Sequence, residues 1–501
     1  MHDDHTITLV GRIEPGTPDW IYLPFDVPDE IDEISVRYTY DKTESPAGSP
    51  GNALDIGIFD ERGHHLASPA RPAPGFRGWS GGARESFTIG RTHATPGYVP
   101  GAINAGTWHI VLGPYTVSPA GMSYRVDVTL RRDADRGAER GKTTEGLSRP
   151  STPPTSVAPQ GADTDSANLT SRKDRTRAVG RGAAWYRGDL HVHTVHSDGR
   201  WSPEELVAAA RDAGLDFIVS TEHNTPTASA TWDNLARPDL LVIDGEEVTT
   251  RNGHLVAAGL RDGAWLDWRF RAGDGHLPHI LDQIHSLGGI AVAAHPYAPC
   301  IGCAWKFGYS GLDAVEVWNG SWTPDDEMSL RHWDATLVAD RANGSWLPAV
   351  AASDSHHAGQ PLGLGQTVVW AEDLTRDAIV AGIRSGRVYL AESCDVELEF
   401  TARSGEHVAG IGERLRVPET AGVRCECVVR GVTEGVLQFV TDRGTAAAFP
   451  IGSEAGSDEP VTWCTAPQES AYVRVEVRRP AAATGLPFGP MLALTNPIFL
   501  G

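Results

Sequence analysis

With 501 residues, 55 glycines and 34 prolines, the chain has room for about three domains and is turn-rich, which points to β-structure rather than long helices. Its formal net charge of −22 excludes non-specific attraction to nucleic acid or to an anionic membrane surface, since both need a positive field. No apolar stretch approaches the roughly 18 residues of a membrane span, and MHDDHTITLVGRIEPG carries neither the basic nor the apolar region of a secretory signal, so a cytoplasmic location is the default expectation.

Residues 1–132 alternate with period two, as in Ile34, Val36, Tyr38 and Tyr40 or Tyr124, Val126, Val128 and Leu130. Short half-buried strands between Gly/Pro-rich turns predict a β-sandwich or jelly-roll-like domain. His64 and His65 precede a Pro-rich loop and read as a solvated pair. Residues 133–184 turn to Ser, Thr, Pro, Gly, Asp and Arg with almost no large apolar side chain, the composition of a flexible linker.

Residues 185–392 alternate strand and helix signals. In GDLHVHTVHSDGRWSPEELVAAARDAGLDFIVSTEHN, the extended start puts His191 and His193 on one face, able to grip one cation together. An isolated HxH is as readily a solvated edge pair, but most of the 19 histidines fall between His191 and His357. Ser202, Pro203 and Glu205 form a capping box that starts a helix, Gly214 ends it, and Phe217 to Ser220 reads as a buried strand. The runs LLVIDGEEV, HLVAAGL, IAVAAHP, LDAVEVWNG and LPAVAASDSH follow. Continuous apolar runs predict parallel strands covered on both faces, and several end on a candidate ligand: Glu247, His295, Asp354 and His356. Residues 393–501 return to alternation and predict a second, C-terminal β domain. Cys300 and Cys303 make a single CxxC with no second pair at zinc-ribbon spacing, which weighs against a structural zinc or a redox role, while Cys425 and Cys427 read as strand core.

Taken together, HxH with Asp198, TEH at Glu222 and His223, GEE at Glu246 and Glu247, His254, HP at His295 and DSH at Asp354 to His356 resemble the PHP (polymerase and histidinol phosphatase) family. The match covers about 200 residues in the family's motif order. The flanking β segments and the endings GTWHIVLGPY and LALTNPIFL are similar to its carbaryl-hydrolase-like (CehA/McbA) branch. The resemblance implies an α/β fold, a distorted PHP-type β/α barrel flanked by two mainly-β domains. It further implies one cation on His191, His193, Glu247 and Asp354, a second on Glu247, His254 and His295, and a third on Asp198, His223 and His356. Glu246 is the alternative to Glu247, but the family's Gly-x-Glu spacing favours the latter. Imidazole mixed with carboxylate suits two or three divalent transition ions, Zn²⁺, Mn²⁺ or Fe²⁺.

Such a cluster lowers the pKa of a bridging water and holds hydroxide against an electrophile, so hydrolysis is the expected chemistry, with no protein nucleophile beyond that hydroxide. Asp189, Glu222 and His357 adjoin ligands, where they would orient imidazoles or pass protons, or else serve ordinary capping and surface roles. Tyr297, Trp305, Phe307, Trp318 and Trp322 follow the later ligands with one nearby cation, Lys306; Arg187, Arg200 and Arg251 are the other basic residues close to motifs. As pocket walls they would favour a small-molecule ester, carbamate or amide with an aryl leaving group. The alternatives are a phosphoesterase and an inactive PHP module serving as a scaffold. The partner expected is a small molecule, with no nucleic acid and no membrane; oligomeric state is unreadable.

Overall fold

The computed structural model describes residues 5–42, 51–66, 75–132, 181–235, 239–261, 263–340, 346–452, 459–480 and 489–501. The chain divides into two units, Met1–Arg172 and Lys173–Gly501. Nearly all of the expected linker, 133–184, lies outside the described residues. Its last residues belong to the second unit, where Arg181 pairs with Asp216 and Ala184 opens a strand.

In the first unit the period-two alternation forms two four-stranded antiparallel sheets. One orders His5–Ile13, Met122–Arg131, Glu33–Tyr40 and Ser86–Gly90, the other Ile21–Val27, Gly106–Thr116, Ala53–Phe59 and Phe76–Gly81. Their inward residues, among them Ile34, Val36 and Val128 from one and Ile56, Ile58 and Trp108 from the other, share one core. This is the sandwich arrangement that alternating strands require. His64 departs from the solvated-pair reading: its ring stacks on Tyr22 at 3.8 Å and meets His109 edge-on.

The second unit is built on a 15-stranded mixed sheet. Ala184–Val192, Phe217–Ser220 and Leu241–Thr250 run parallel, as do Ile290–Ala293, Ala314–Asn319 and Ala349–Ala352. Between these sets Leu241–Thr250 turns directly into Gly253–Ala258, an antiparallel pair. The all-parallel expectation fails here because two residues cannot make a crossover. The Thr250 hydroxyl donates to the Gly253 carbonyl and closes the hairpin. The barrel expectation is also corrected, because the sheet is an open path. Its outer edge, Ala349–Ala352, meets the rest through the Thr367 hydroxyl, which bonds the N–H and C=O of Ala351, and through one bridge between Val192 and Ser355.

The helix Pro203–Asp212 starts as its capping box dictates, with Ser202 accepting from the Glu205 N–H and Glu205 accepting from the Ser202 N–H. It buries Leu206, Val207 and Ala210. Leu277–Ser286, Pro324–Asp340 and Arg376–Arg384 pack on later strands of the sheet. Gly188 allows close approach at the sheet centre, since a Cβ there would lie 2.1 Å from the Phe217 ring. Among the described residues no helix is long and apolar enough to cross a membrane.

The expected boundary at residue 392 is spanned by a strand pair. Val388–Ala391 pairs with Met491–Thr495, so Tyr472–Arg478, Gly435–Thr441 and Gly444–Ile451 extend the same sheet. A separate four-stranded sheet, including Glu397–Ser404 and Val423–Arg430, packs its Phe400, Cys425 and Cys427 into a core shared with Phe439 and Val475. Asn496, fully buried, accepts from the Ala349 N–H and donates to its C=O, fixing the strand that leads to Asp354. Asn496→Ala strands both backbone groups, and a denaturant titration should show a stability loss of roughly 2–4 kcal/mol. An unchanged midpoint would mean that the C-terminal residues do not support the site strand.

Candidate metal centre

Strands that read as buried apolar runs bring polar side chains to one place. Ala184–Val192 carries His191, with His193 on the residue that follows the strand; Leu241–Thr250 carries Glu247, and Gly253–Ala258 carries His254. His223, His295, Asp354 and His356 stand on loops immediately after strands. The backbone is locked across these ends: His193 N–H donates to Ser355 O, Asp354 N–H to His191 O, and Glu247 N–H to Glu222 O. Asn224, His295 and Asp354 hold left-handed φ values of 55°, 26° and 51°. Non-glycine residues in that region store strain, and strain of this kind gathers at functional sites.

Glu247 is the hub. Its Oε1 lies 2.8 Å from His254 Nδ1 and 3.3 Å from His295 Nε2. Its Oε2 lies 3.2 Å from His191 Nε2, 3.4 Å from His193 Nε2 and 2.7 Å from His223 Nδ1. The two oxygens thus serve different sets of imidazoles, the requirement for a carboxylate that bridges two cations. Asp354 Oδ1 joins at 3.3 Å from His191 Nε2 and 3.0 Å from His193 Nε2. On the far side Asp198 Oδ1 sits 3.4 Å from His223 Nε2 and 3.2 Å from His356 Nε2.

All nine candidate ligands fall into four overlapping groups whose donor atoms lie within 4.8 Å of one another. These are His193, Asp198, His223 and His356; His191, His193 and Glu247; His191, His295 and Asp354; and Glu247, His254 and His295. Within them His191 Nε2, His193 Nε2, His254 Nε2, Glu247 Oε2 and Asp354 Oδ1 are buried without a hydrogen-bond partner. A buried polar atom left this way costs free energy, and unpartnered imidazole nitrogens and carboxylate oxygens within these groups fit divalent cations far better than any packing role.

The electrostatics agree. Burial works against ionisation of Glu247, yet His223, His191 and His254 hold its carboxyl well below the usual range. His193, desolvated and beside His356 and His223, is pushed down to about 4, so its Nε2 lone pair is available near neutral pH. Burial opposes charge on His223 too, but Glu247 and Asp198 raise it to about 10. A cation binding here takes the place of protons, so uptake releases them.

Glu246 points to the other side of the strand, accepting from the Leu266 N–H. Asp189 receives the N–H groups of His191, Ser353 and Gly363, pinning the first ligand strand to the DSH loop; burial raises its pKa to about 6. Glu222 accepts from Thr194 and Ser197, and Ser197 Oγ lies 3.4 Å from His193 Nδ1. With its own proton given to Glu222, Ser197 accepts from Nδ1–H and leaves Nε2 to coordinate. His357 has a turn role, its Nδ1 accepting from the Gly359 N–H.

Sequence reasoning missed Glu316. It is buried, stands 3.4 Å from His191 Nδ1, and accepts from the His295 N–H at 2.7 Å. The signal was there: a carboxylate inside the valine-rich strand Ala314–Asn319 needs partners. Thr249, 2.6 Å from His223 Nδ1, was also missed. Of the aromatic candidates, Trp318 is 1% exposed and packs in the core. Trp305 and Phe307 are partly exposed on the loop beside His254, with rings 4.8 Å apart.

No family model matches the chain. An uncharacterised protein of Methanocaldococcus jannaschii is 26% identical over 147 residues, covering 26% of this chain and 81% of its own length. Among solved structures, a two-domain Bacteroides vulgatus protein described as containing a PHP-like metal-dependent phosphoesterase aligns with TM-score 0.36 and 16% identity, over 64% of this chain and 96% of that one. An amidohydrolase from Chromobacterium violaceum aligns with TM-score 0.26 and 18% identity, over 35% of this chain and 89% of that one. The functional reading therefore rests on the residues themselves.

Glu247→Gln should remove most bound metal while Glu246→Gln retains it, with both variants folded by circular dichroism; elemental analysis of the purified proteins checks this. Equal, small losses from both would show that Glu247 bridges nothing.

Proposed function

We propose that this chain is a metal-dependent hydrolase of the PHP type, close to the carbaryl-hydrolase-like branch, acting on a small-molecule ester, carbamate or amide. The observation that carries the hydrolase reading is Glu247, buried with its two oxygens directed at separate sets of imidazoles. His191, His193, Glu247 and Asp354, then Glu247, His254 and His295, and finally Asp198, His223 and His356 would hold divalent ions, whose chemistry there would be Lewis-acid activation of water and neutralisation of charge developing on the substrate. The protein's own part is positioning. Ser197 and Thr249 sit on the Nδ1 atoms of His193 and His223, and Glu316 on that of His191. For His191 and His193 the contact leaves Nε2 facing Glu247 and Asp354, whereas His223 shares its Nδ1 between Thr249 and Glu247 Oε2 and presents Nε2 to Asp198.

The preference for a carbon-centred substrate is supported by the scarcity of anion clamps. Arg187, one of the three arginines near the motifs, is spent on Gln366, Ser393 and Val396. Trp305 and Phe307 offer a partly exposed aromatic face beside His254. One observation favours the second reading, a phosphoesterase: exposed Arg200 donates its N–H to the His356 carbonyl and so stands at the third ligand group, where it could clamp a phosphoryl oxygen. The reading has a small molecule as partner, with neither nucleic acid nor membrane, and a cytoplasmic setting.

Stripping with a chelator should abolish hydrolysis and Zn²⁺ or Mn²⁺ should restore it. Corrected for uncatalysed rates, kcat/KM for p-nitrophenyl acetate should exceed that for p-nitrophenyl phosphate. The reverse order replaces the carbon-ester reading with the phosphoester one, and a protein with neither metal nor activity is a scaffold.

A further inference from the structure

The CxxC set aside in the sequence is joined: Cys300 and Cys303 form a disulfide, with Cα atoms 5.5 Å apart. Its position gives the bond a consequence. The loop that carries it leaves the sheet at His295, a ligand, and is tied back to both arms of one ligand group. Trp305 N–H donates to Pro296 O at 2.9 Å, next to His295. Gly253 N–H donates to Gly302 O at 2.8 Å, and Lys306 N–H to Asn252 O at 2.9 Å, immediately before His254. Gly302 lies inside the disulfide-closed turn. The loop presses directly on the His254 hairpin, because Gly253 has φ +117° and a Cβ there would fall 2.5 Å from Trp305 Cα. His254 and His295 are the two imidazoles that meet Glu247 Oε1. The cross-linked turn is thus a strut between them.

We infer that Cys300–Cys303 is a dithiol/disulfide modification site that sets the cation affinity of the Glu247, His254 and His295 group. Its reactant is a dithiol reductant. Thiolate attack on the exposed Cys300 sulfur expels the Cys303 thiolate. The second thiol of the reductant then resolves the mixed disulfide, so the loop gains two electrons and two protons while the reductant becomes a disulfide. Cys300 and the neighbouring Ile301, 54% exposed, put the bond within reach of such a reagent. The cross-link restricts the open turn; once it is cut, the Gly302 carbonyl is no longer constrained to meet Gly253, and the hairpin bearing His254 loosens against His295. The inference rests on the metal reading of the centre.

The test uses the full chain. Alkylation after unfolding without reductant should label four of the six cysteines, and after reduction all six. Native protein, reduced, blocked with N-ethylmaleimide and desalted, should then be titrated with Zn²⁺ against a chromogenic chelator, beside the untreated protein and a Cys300→Ser/Cys303→Ser variant. Both cut forms should bind one Zn²⁺ at least about tenfold more weakly, the scale of losing an outer contact to a ligand. Cys464→Ser, which removes an exposed free thiol elsewhere, should bind as the untreated protein does. Labelling of six cysteines without reductant, or equal Zn²⁺ affinity in cut and uncut forms, overturns the inference while leaving the metal reading intact. Failure to bind Zn²⁺ in any form overturns both.

Discussion

The candidate centre of the second unit is organised around a single buried carboxylate. Taking an ion such as Glu247 out of water costs several kcal/mol, and the cost is met only where opposite charge surrounds it closely. Imidazoles from five positions do so, brought from four separate segments of chain, one of which supplies both His191 and His193. Around them lies a further layer: Asp189, Glu222 and Glu316 accept backbone N–H groups from the segments carrying His191, Thr194 and His295. Each such bond fixes where a ligand strand ends, so the site is held by backbone and not by long side chains alone.

That requirement accounts for the local departures from ordinary geometry. Strand ends in an open sheet splay apart, and bringing them to one point needs sharp exits. His295 and Asp354 make theirs with left-handed backbone, a cost that their places around Glu247 and His191 offset. The C-terminal residues contribute through the same logic. By extending the sheet and holding Ala349 with Asn496, they steady the strand from which Asp354 departs. Farther out, Arg474 and Arg478 share Glu476 and pair with Asp334 and Glu327 of the helix Pro324–Asp340, tying that helix to the added strands.

Much of the centre was legible in the sequence because its residues break a strong local pattern. His191 and His193, His295 and Asp354 follow apolar runs that can only be buried strands, so polar side chains there demand partners. Glu247 and Glu246 could not be separated by pattern alone; the resemblance favoured the first, and strand alternation in the structure puts Glu246 against Leu266 instead. Glu316 escaped because it sits within its run and not at the end. The sheet was less legible. Alternation says which face of a strand is buried, not which strand lies beside it, so the pairing of Val388–Ala391 with Met491–Thr495 had no signature. The antiparallel hairpin into His254 was readable in principle from its short TTRNG connection, but continuous apolar runs argued more loudly for parallel strands.

The central claim is that Glu247 holds cations on both of its oxygens. Anomalous diffraction at the zinc edge, from crystals grown with Zn²⁺, tests it most directly. The account predicts two peaks flanking the Glu247 carboxylate, one among His191, His193 and Asp354 and the other between His254 and His295. A lone peak among Asp198, His223 and His356, with none beside Glu247, would contradict it.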